Sequence, residues 1–273
     1  MNVLRTLIYD GEVSLTIADT TELVKEGITR HALQGETAIA FGRTLSMLTY
    51  MSACLKERAG EITLAFRTEG QLLNLCASGN ADLAIRGYLD WNDNATTLLG
   101  EGSLTVVRDD GYNRPFVGAC AMTEGDLDEN FEEYYRISEQ LPTNIATKVL
   151  LNTDGEVEFS GVIVLQPLPF ASEETLKKLK TREELAIVLN SVQTLGILQT
   201  AQAEFSAIEN QCILRQANYQ CNCSREYLTS VLVSLGEAQY SQIIQEEGEV
   251  RVHCHYCNTD YVFTKADEEI LFP

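Results

Sequence analysis

Alternating apolar and polar residues predict a series of short β-strands in the first half of the chain. The first two runs, at residues 4–8 and 13–17, flank Asp10-Gly11, a dipeptide typical of the I′ turn in a β-hairpin. Further runs lie at residues 62–66, 73–75, 83–85, 104–106, 116–120 and 157–165. Because turn-forming residues separate these runs, we expect a large, mainly antiparallel sheet.

Apolar side chains spaced three and four residues apart predict helices among these strands. The longest helix covers residues 36–58, with Gly60 after it as a stop signal. A shorter, acidic helix begins at Asp126, which forms a capping pattern with Glu129. We expect its charged side chains to face solvent. Together, the strands and helices predict a mixed α/β domain over residues 1–170.

The composition changes after Pro169. Thr181 and Glu184 form a second capping box, and the segment from Leu185 to Tyr219 is predicted to be helical. Only three of its residues are charged, namely Glu204, Glu209 and Arg215. Because its intrinsic helix propensity is modest, packing has to stabilise it. We assign residues 171–218 to a helical linker, which is either an ordinary connecting pair of helices or a segment whose release exposes apolar surface.

Four cysteines near the C-terminus form two close pairs, Cys221-x-Cys223 and Cys254-x-x-Cys257. Four thiolates match the tetrahedral preference of Zn²⁺ and leave no coordination position open for a substrate. The spacing therefore predicts a closed structural zinc site, or a thiol switch built from the same residues. Zinc-bound thiolates also react with peroxide, so oxidation of these cysteines would couple to metal loss and to unfolding.

Other potential ligands fit this pattern less well. His253 and His255 flank one of the cysteines, but the two thiolate pairs already fill a four-coordinate site. We assign the remaining cysteines and the third histidine to packing roles; they are Cys54, Cys76, Cys120, Cys212 and His31.

The segment around the four cysteines is predicted to be a small independent domain at residues 219–273. Ser224 can cap a helix that runs to Leu235 and ends at Gly236, and a second short helix precedes Gly248. Alternating residues at 250–252 and 261–263 predict a hairpin around the second cysteine pair. So small a domain needs a metal ion as part of its core. The predicted fold class is therefore α+β, with an N-terminal domain, a helical linker and a C-terminal zinc-binding domain.

Charge narrows the possible partners. The 273 residues carry 20 Lys and Arg against 40 Asp and Glu, a formal net charge of −20. A field of this sign repels nucleic acid and anionic lipid, so we expect neither as a partner. Residues 219–273 are themselves acidic, which argues against a zinc-ribbon nucleic-acid module. The sequence shows no signal peptide and no long apolar run, so we expect a cytoplasmic protein.

Enzyme motifs are not found either. We find no P-loop, GxSxG, GxGxxG or HExxH pattern, and we expect no enzymatic activity. A thiol-disulfide oxidoreductase remains an alternative, although its CxxC would normally begin a helix, and Cys254 and Cys257 lie in a predicted hairpin.

Three motifs resemble one protein family, the redox-regulated holdase chaperones called heat shock protein 33. The first is Cys221-x-Cys223-Ser224-Arg225-Glu226. The second is the Gly248-Glu249-Val250-x-Val252-x-Cys254-x-Tyr256-Cys257-x3-Tyr261-x-Phe263 hairpin. The third is Tyr135-x2-Ser138-Glu139-Gln140-Leu141-Pro142. Weaker similarities, including Gly42-Arg43 and Arg86-Gly87-Tyr88, extend over nearly the whole chain.

The resemblance implies a molecular switch. Reduced members of the family hold one Zn²⁺ on four cysteines, here Cys221, Cys223, Cys254 and Cys257, and are inactive. Oxidation forms two near-neighbour disulfides, releases the metal, unfolds the linker and yields an active dimer that binds unfolding client proteins without ATP. The linker of this chain matches the family poorly. Leu189 and Phe205 are our candidate client-binding residues within it, and the alternative is a constitutive chaperone with a purely structural zinc.

Overall fold

The structure is a computed structural model that describes residues 1–272. It divides into two compact units, one spanning Met1–Tyr219 and a second that begins at Gln220. The segment predicted as a linker belongs to the first unit, and its role as a linker remains a prediction.

The first unit contains two large sheets and six α-helices among the residues described. Its strands are β1 (Val3–Ile8), β2 (Val13–Asp19), β3 (Glu61–Thr68), β4 (Leu72–Asn80), β5 (Ala84–Trp91), β6 (Gly102–Asp109), β7 (Phe116–Met122), β8 (Asn144–Leu151), β9 (Val157–Pro167), β10 (Ile213–Arg215) and β11 (Asn218–Tyr219). Its helices are α1 (Thr21–His31), α2 (Gly35–Ala53), α3 (Leu127–Tyr134), α4 (Glu173–Leu176), α5 (Arg182–Leu195) and α6 (Ile197–Phe205). A π-helical turn at Tyr135–Glu139 follows α3, and a 3₁₀ turn lies at Glu209–Gln211.

The strands divide between a five-stranded sheet, ordered β10-β1-β2-β9-β8, and a six-stranded sheet, ordered β11-β5-β4-β3-β6-β7. Every pairing is antiparallel except that of β11 with β5. Helix α2 packs against strands of both sheets, and α5 and α6 pack against the five-stranded sheet. The predicted α+β class with extensive antiparallel pairing is confirmed. Alternation along a strand identifies its buried face but not its partner, so the pattern did not separate the two sheets.

Helix α2 is buried on nearly every side because it lies between the two sheets. Its side chains from Phe41 to Ala53 are almost all buried. Gly42 permits this close packing, since a Cβ at this position would lie 2.6 Å from Cγ1 of Val24 and 2.8 Å from Cγ2 of Val149. The helix ends five residues earlier than predicted, because the apolar pattern is followed by the charged residues 56–58.

The capping predictions are confirmed, but the helical extent of residues 185–219 is wrong. Asp126 and Thr181 both cap helices through the predicted reciprocal boxes. The helical segment, however, ends at Phe205, where Ser206 adopts a left-handed conformation with φ of 54°. The following residues instead form β10 and β11, which add an edge strand to each sheet. Pairing of exposed sheet edges therefore outweighs the weak helix propensity of this segment.

The first hairpin and strand β4 also differ in detail from the prediction. The predicted hairpin is present, but its turn begins one residue earlier, with positive φ at Tyr9 and Asp10 as well as at Gly11. In β4, a register shift between Leu72 and Asn74 breaks the alternation, which explains why Leu73 is exposed. Strand β8 was not predicted.

The second unit follows its prediction closely. It consists of α7 (Arg225–Leu235), α8 (Glu237–Glu247), the hairpin β12 (Val250–Cys254) with β13 (Thr259–Phe263), and α9 (Lys265–Leu271). The side chain of Ser224 accepts a hydrogen bond from Tyr227 N and caps α7, as predicted. The buried apolar residues form one small cluster of Leu228, Leu232, Tyr240, Val250, Phe263 and Leu271.

A buried ion pair joins α2, α3 and β8 in the first unit. Arg43 donates to Asp126 Oδ2 at 2.7 Å, contacts Asp128 Oδ2 at 3.0 Å and donates to Thr147 Oγ1 at 2.8 Å. Asp128 is only 3% exposed, and burial raises its pKa against the opposing effect of Arg43. The guanidinium therefore compensates a carboxylate that has little access to water.

We predict that Arg43→Ala lowers the free energy of unfolding of the first unit by about 3 kcal/mol, because it leaves Asp128 buried without its countercharge. Urea unfolding followed by circular dichroism measures this. The matched control is Arg136→Ala, which breaks an exposed i,i+3 pair with Glu133 and should cost less than about 0.5 kcal/mol. Equal effects of the two substitutions would contradict the prediction.

Candidate metal centre

Two chain segments of the second unit bring the four predicted cysteines together. Cys221 and Cys223 lie just before α7, and the cap at Ser224 fixes the chain direction immediately after them. Cys254 ends β12 and pairs in register with Thr259, while Cys257 lies in the connecting turn. The hairpin therefore presents the second pair of sulfurs from its tip.

The four sulfur atoms form one cluster. All the Sγ atoms lie within 4.8 Å of one another, with Cys221 and Cys254 at 3.7 Å and Cys223 and Cys257 at 3.1 Å. Cys257 is buried and the other three are half-buried. Each cysteine offers one sulfur, so the cluster can hold a metal ion with four protein ligands.

The thiols of the cluster differ in acidity. Burial raises the pKa of Cys223, but hydrogen bonds with Tyr261 and Cys257 outweigh this effect and lower it to about 7. Burial raises the pKa of Cys257 to about 11, despite an opposing hydrogen bond from Thr259, and it also raises the pKa of Cys221. Of these three cysteines, Cys223 is the one that its surroundings favour as a thiolate.

Tyr261 was not predicted as a site residue, although it belongs to the motif that suggested the family. Its Oη lies 3.3 Å from Cys223 Sγ. The only sequence signal was its position two residues before Phe263, which places both rings on one face of β13. The alternation of buried and exposed residues identifies that face of β13. It does not show that the sulfur of Cys223, which belongs to another segment, lies next to the Tyr261 hydroxyl.

The other candidate ligands lie outside this cluster in the described part of the chain. His253 Nδ1 pairs with Asp260 Oδ1 at 2.7 Å. Cys120 is buried, and Cys212 Sγ donates to the carbonyl of Ile208 at 3.4 Å. Cys54 lies against the main core of the first unit, where burial raises its pKa.

The predicted client-binding residues are both buried in the first unit. Leu189 is 0% exposed and Phe205 is 4% exposed, within the apolar layer between α5–α6 and the five-stranded sheet. A client protein can therefore reach them only after these helices leave the sheet.

Comparisons with known proteins find relatives that match nearly the whole chain. The profile of the family described as Hsp33 protein matches residues 2–264. A 33 kDa chaperonin from Bacillus cytotoxicus is 34% identical, with 97% of this chain and 96% of that protein covered. Another, from Bacillus cereus, is 32% identical with the same coverage.

Structural similarity extends over the same range. The crystal structure of the 33 kDa chaperonin (heat shock protein 33 homolog) from Thermotoga maritima gives a TM-score of 0.81 at 25% identity, covering 98% of this chain and 96% of that chain. The chain belongs to the Hsp33 family. Separately, no helix among residues 1–272 is both long and apolar enough to cross a bilayer.

We predict that Cys257→Ser lowers the bound metal from about one ion per chain to near zero, because it removes one of four ligands. Metal content is measured by mass spectrometry of the purified, reduced protein. Cys212→Ser changes a cysteine outside the cluster and is the matched control, expected to retain its metal.

Chelation of the wild-type protein tests whether the bound metal stabilises the second unit. Hydrogen exchange of the wild-type protein after chelation should increase within residues 220–272 and stay unchanged within the two sheets of the first unit. Retention of metal by Cys257→Ser, or equal protection of the second unit with and without metal, would contradict the four-ligand assignment.

Proposed function

We propose that this protein is a redox-regulated, ATP-independent chaperone that binds unfolding proteins under oxidative stress in the cytoplasm. Family membership supports a chaperone function, because the relatives carry the name 33 kDa chaperonin. The convergence of four sulfurs within 4.8 Å carries the redox part of the proposal. The protein would act by binding rather than by catalysis.

Zn²⁺ is the metal that fits this donor set. With zinc–sulfur bonds of about 2.3 Å, the sulfurs of a tetrahedral site lie about 3.8 Å apart. Cys221 and Cys254 already have their sulfurs 3.7 Å apart. Bound Zn²⁺ would hold all four sulfurs as thiolates, the state in which cysteine reacts with oxidants.

Oxidation would then remove the ligands in pairs. In each pair, two thiolates lose two electrons to a peroxide, the disulfide forms, and the peroxide leaves as two hydroxides, which the solvent protonates to water. We propose the near-neighbour pairs Cys221–Cys223 and Cys254–Cys257, as the family resemblance implies. The sulfurs of Cys223 and Cys257, which come from different segments, also lie only 3.1 Å apart. All four sulfurs lie within 4.8 Å of one another, so each near-neighbour pair has to close to a bond of about 2.05 Å as it oxidises.

The apolar layer under α5 and α6 is the proposed client-binding surface. It contains Leu185, Val188, Leu189, Val192, Ile197, Ala201 and Phe205, all buried against the five-stranded sheet. Released helices would expose this layer to unfolded segments of a client. The net charge of −20 would keep such a complex soluble, and we propose that the oxidised form is a homodimer.

The central prediction concerns aggregation of a thermally unfolding client, measured by light scattering without ATP. Metal-loaded, reduced protein should not suppress scattering, whereas protein treated with peroxide under mild heat should. A reducing agent should reverse the gain. Light scattering coupled to size-exclusion chromatography should show the oxidised form at twice the reduced mass.

Two other outcomes would replace the proposal. Equal suppression in both redox states would indicate a constitutive chaperone whose metal is structural. Reduction of insulin disulfides, with no suppression of scattering in either state, would indicate a thiol-disulfide oxidoreductase.

A second prediction tests the client-binding surface. Leu189→Asp places a carboxylate in the apolar layer and should weaken client binding by the oxidised protein about tenfold, because the released surface loses its central apolar contact. Ile187→Asp on the same helix is the matched control, since Ile187 is 67% exposed in the folded unit. Undiminished client binding by oxidised Leu189→Asp would rule out this surface.

A further inference from the structure

One aromatic hydroxyl of the second unit points at the cysteine cluster. Tyr261 lies on β13 opposite Val252 of β12, and its ring packs against the small apolar core of the unit. This packing fixes the ring, so the hydroxyl is held at 3.3 Å from Cys223 Sγ. The distance falls within the range of a hydrogen bond to sulfur.

The direction of this hydrogen bond follows from the state of the sulfur. A thiolate has lone pairs and no proton, so it can only accept, and the tyrosine O–H must donate. A hydrogen bond to a charged acceptor is stronger than one between neutral groups. When Cys223 serves as a metal ligand, the hydroxyl of Tyr261 therefore lies among the groups that tune that ligand.

We propose that Tyr261 is a positioning residue that restrains the oxidation of Cys223 and so sets the oxidant threshold of the switch. The inference rests on the proposed function, because it concerns how readily the same site is oxidised. The proposed redox switch does not otherwise use the Tyr261 hydroxyl.

The chemistry of the first oxidation step explains the effect. A sulfur lone pair of Cys223 attacks one oxygen of a peroxide, an S–O bond forms and the O–O bond breaks. The sulfur loses two electrons to give a sulfenic acid, and the other peroxide oxygen leaves as hydroxide. A second thiolate then attacks the oxidised sulfur, forms the disulfide and releases another hydroxide. The hydrogen bond from Tyr261 draws on the lone-pair electron density of the Cys223 sulfur. Because the attack on peroxide uses the same electron density, the hydrogen bond slows the first step.

The test compares zinc-loaded, reduced full-length protein with its Tyr261→Phe variant, which keeps the ring and loses only the hydroxyl. Peptide mass spectrometry after timed addition of hydrogen peroxide gives the oxidation rate of Cys223, and a zinc-sensitive dye gives metal release. We expect Tyr261→Phe to oxidise about threefold to tenfold faster at Cys223. Zinc release without peroxide, measured against a chelator, separates this effect from weaker metal binding.

Tyr240→Phe is the matched control. Tyr240 lies in the same unit, where it is buried, and its hydroxyl donates to the carbonyl of Thr264 at 2.9 Å. Tyr240→Phe removes a hydroxyl from the same unit without changing the contacts of the sulfurs. The oxidation rate of Cys223 in this variant should therefore match that of the wild type. Should Tyr261→Phe fail to bind zinc, 3-fluorotyrosine at position 261 gives the opposite test, since a stronger donor should slow oxidation.

The outcomes separate this inference from the proposed function. Faster oxidation of Cys223 in Tyr261→Phe alone supports the inference, whether or not the oxidised protein suppresses client aggregation. An oxidation rate equal to that of the wild type, or equal acceleration in Tyr240→Phe, overturns it. The light-scattering comparison of reduced and oxidised wild-type protein decides the chaperone proposal independently.

Discussion

The meeting of four cysteine sulfurs is the constraint on which the second unit depends. Its apolar core is a single cluster of six buried side chains among the residues described, which is small for a unit of this length. Four thiolates within 4.8 Å would repel one another strongly, and a bound cation turns that repulsion into attraction. A cation bound at the sulfurs would therefore hold the hairpin and the start of α7 together, and its removal would destabilise the second unit.

The first unit contains an apolar surface that α5 and α6 cover. Helices α5 and α6 cover one face of the five-stranded sheet with a segment that carries very few charges. The chain then runs through β10 and β11, which attach it to the edges of both sheets. Tyr219 ends this path, and its hydroxyl donates to the carbonyl of Gly87 at 3.0 Å. Cys221 follows two residues later, so only residues 206–220 separate the end of α6 from the first cysteine of the cluster.

Most elements of the second unit, and many of the first, could be predicted from the sequence. Helix caps, cysteine spacing and hairpin alternation are local signals, so the caps at Ser224 and Thr181 were predicted correctly. The two cysteine pairs lie together as their spacing indicated, and their roles as metal ligands and redox centres remain predictions. Edge strands such as β10 are specified by a distant partner, β1, and a three-residue strand has no periodicity of its own. The same limit explains why Tyr261 was missed, since its contact with Cys223 joins residues 38 positions apart. The division of the strands into two sheets likewise depends on long-range packing, since strands of both sheets pack on α2.

The X-ray absorption spectrum of the purified, reduced protein at the zinc edge tests the four-cysteine metal site most directly. We predict four sulfur ligands at about 2.3 Å and no lighter ligand. Fewer than four sulfurs, or a nitrogen ligand at about 2.0 Å from His253 or His255, would contradict it.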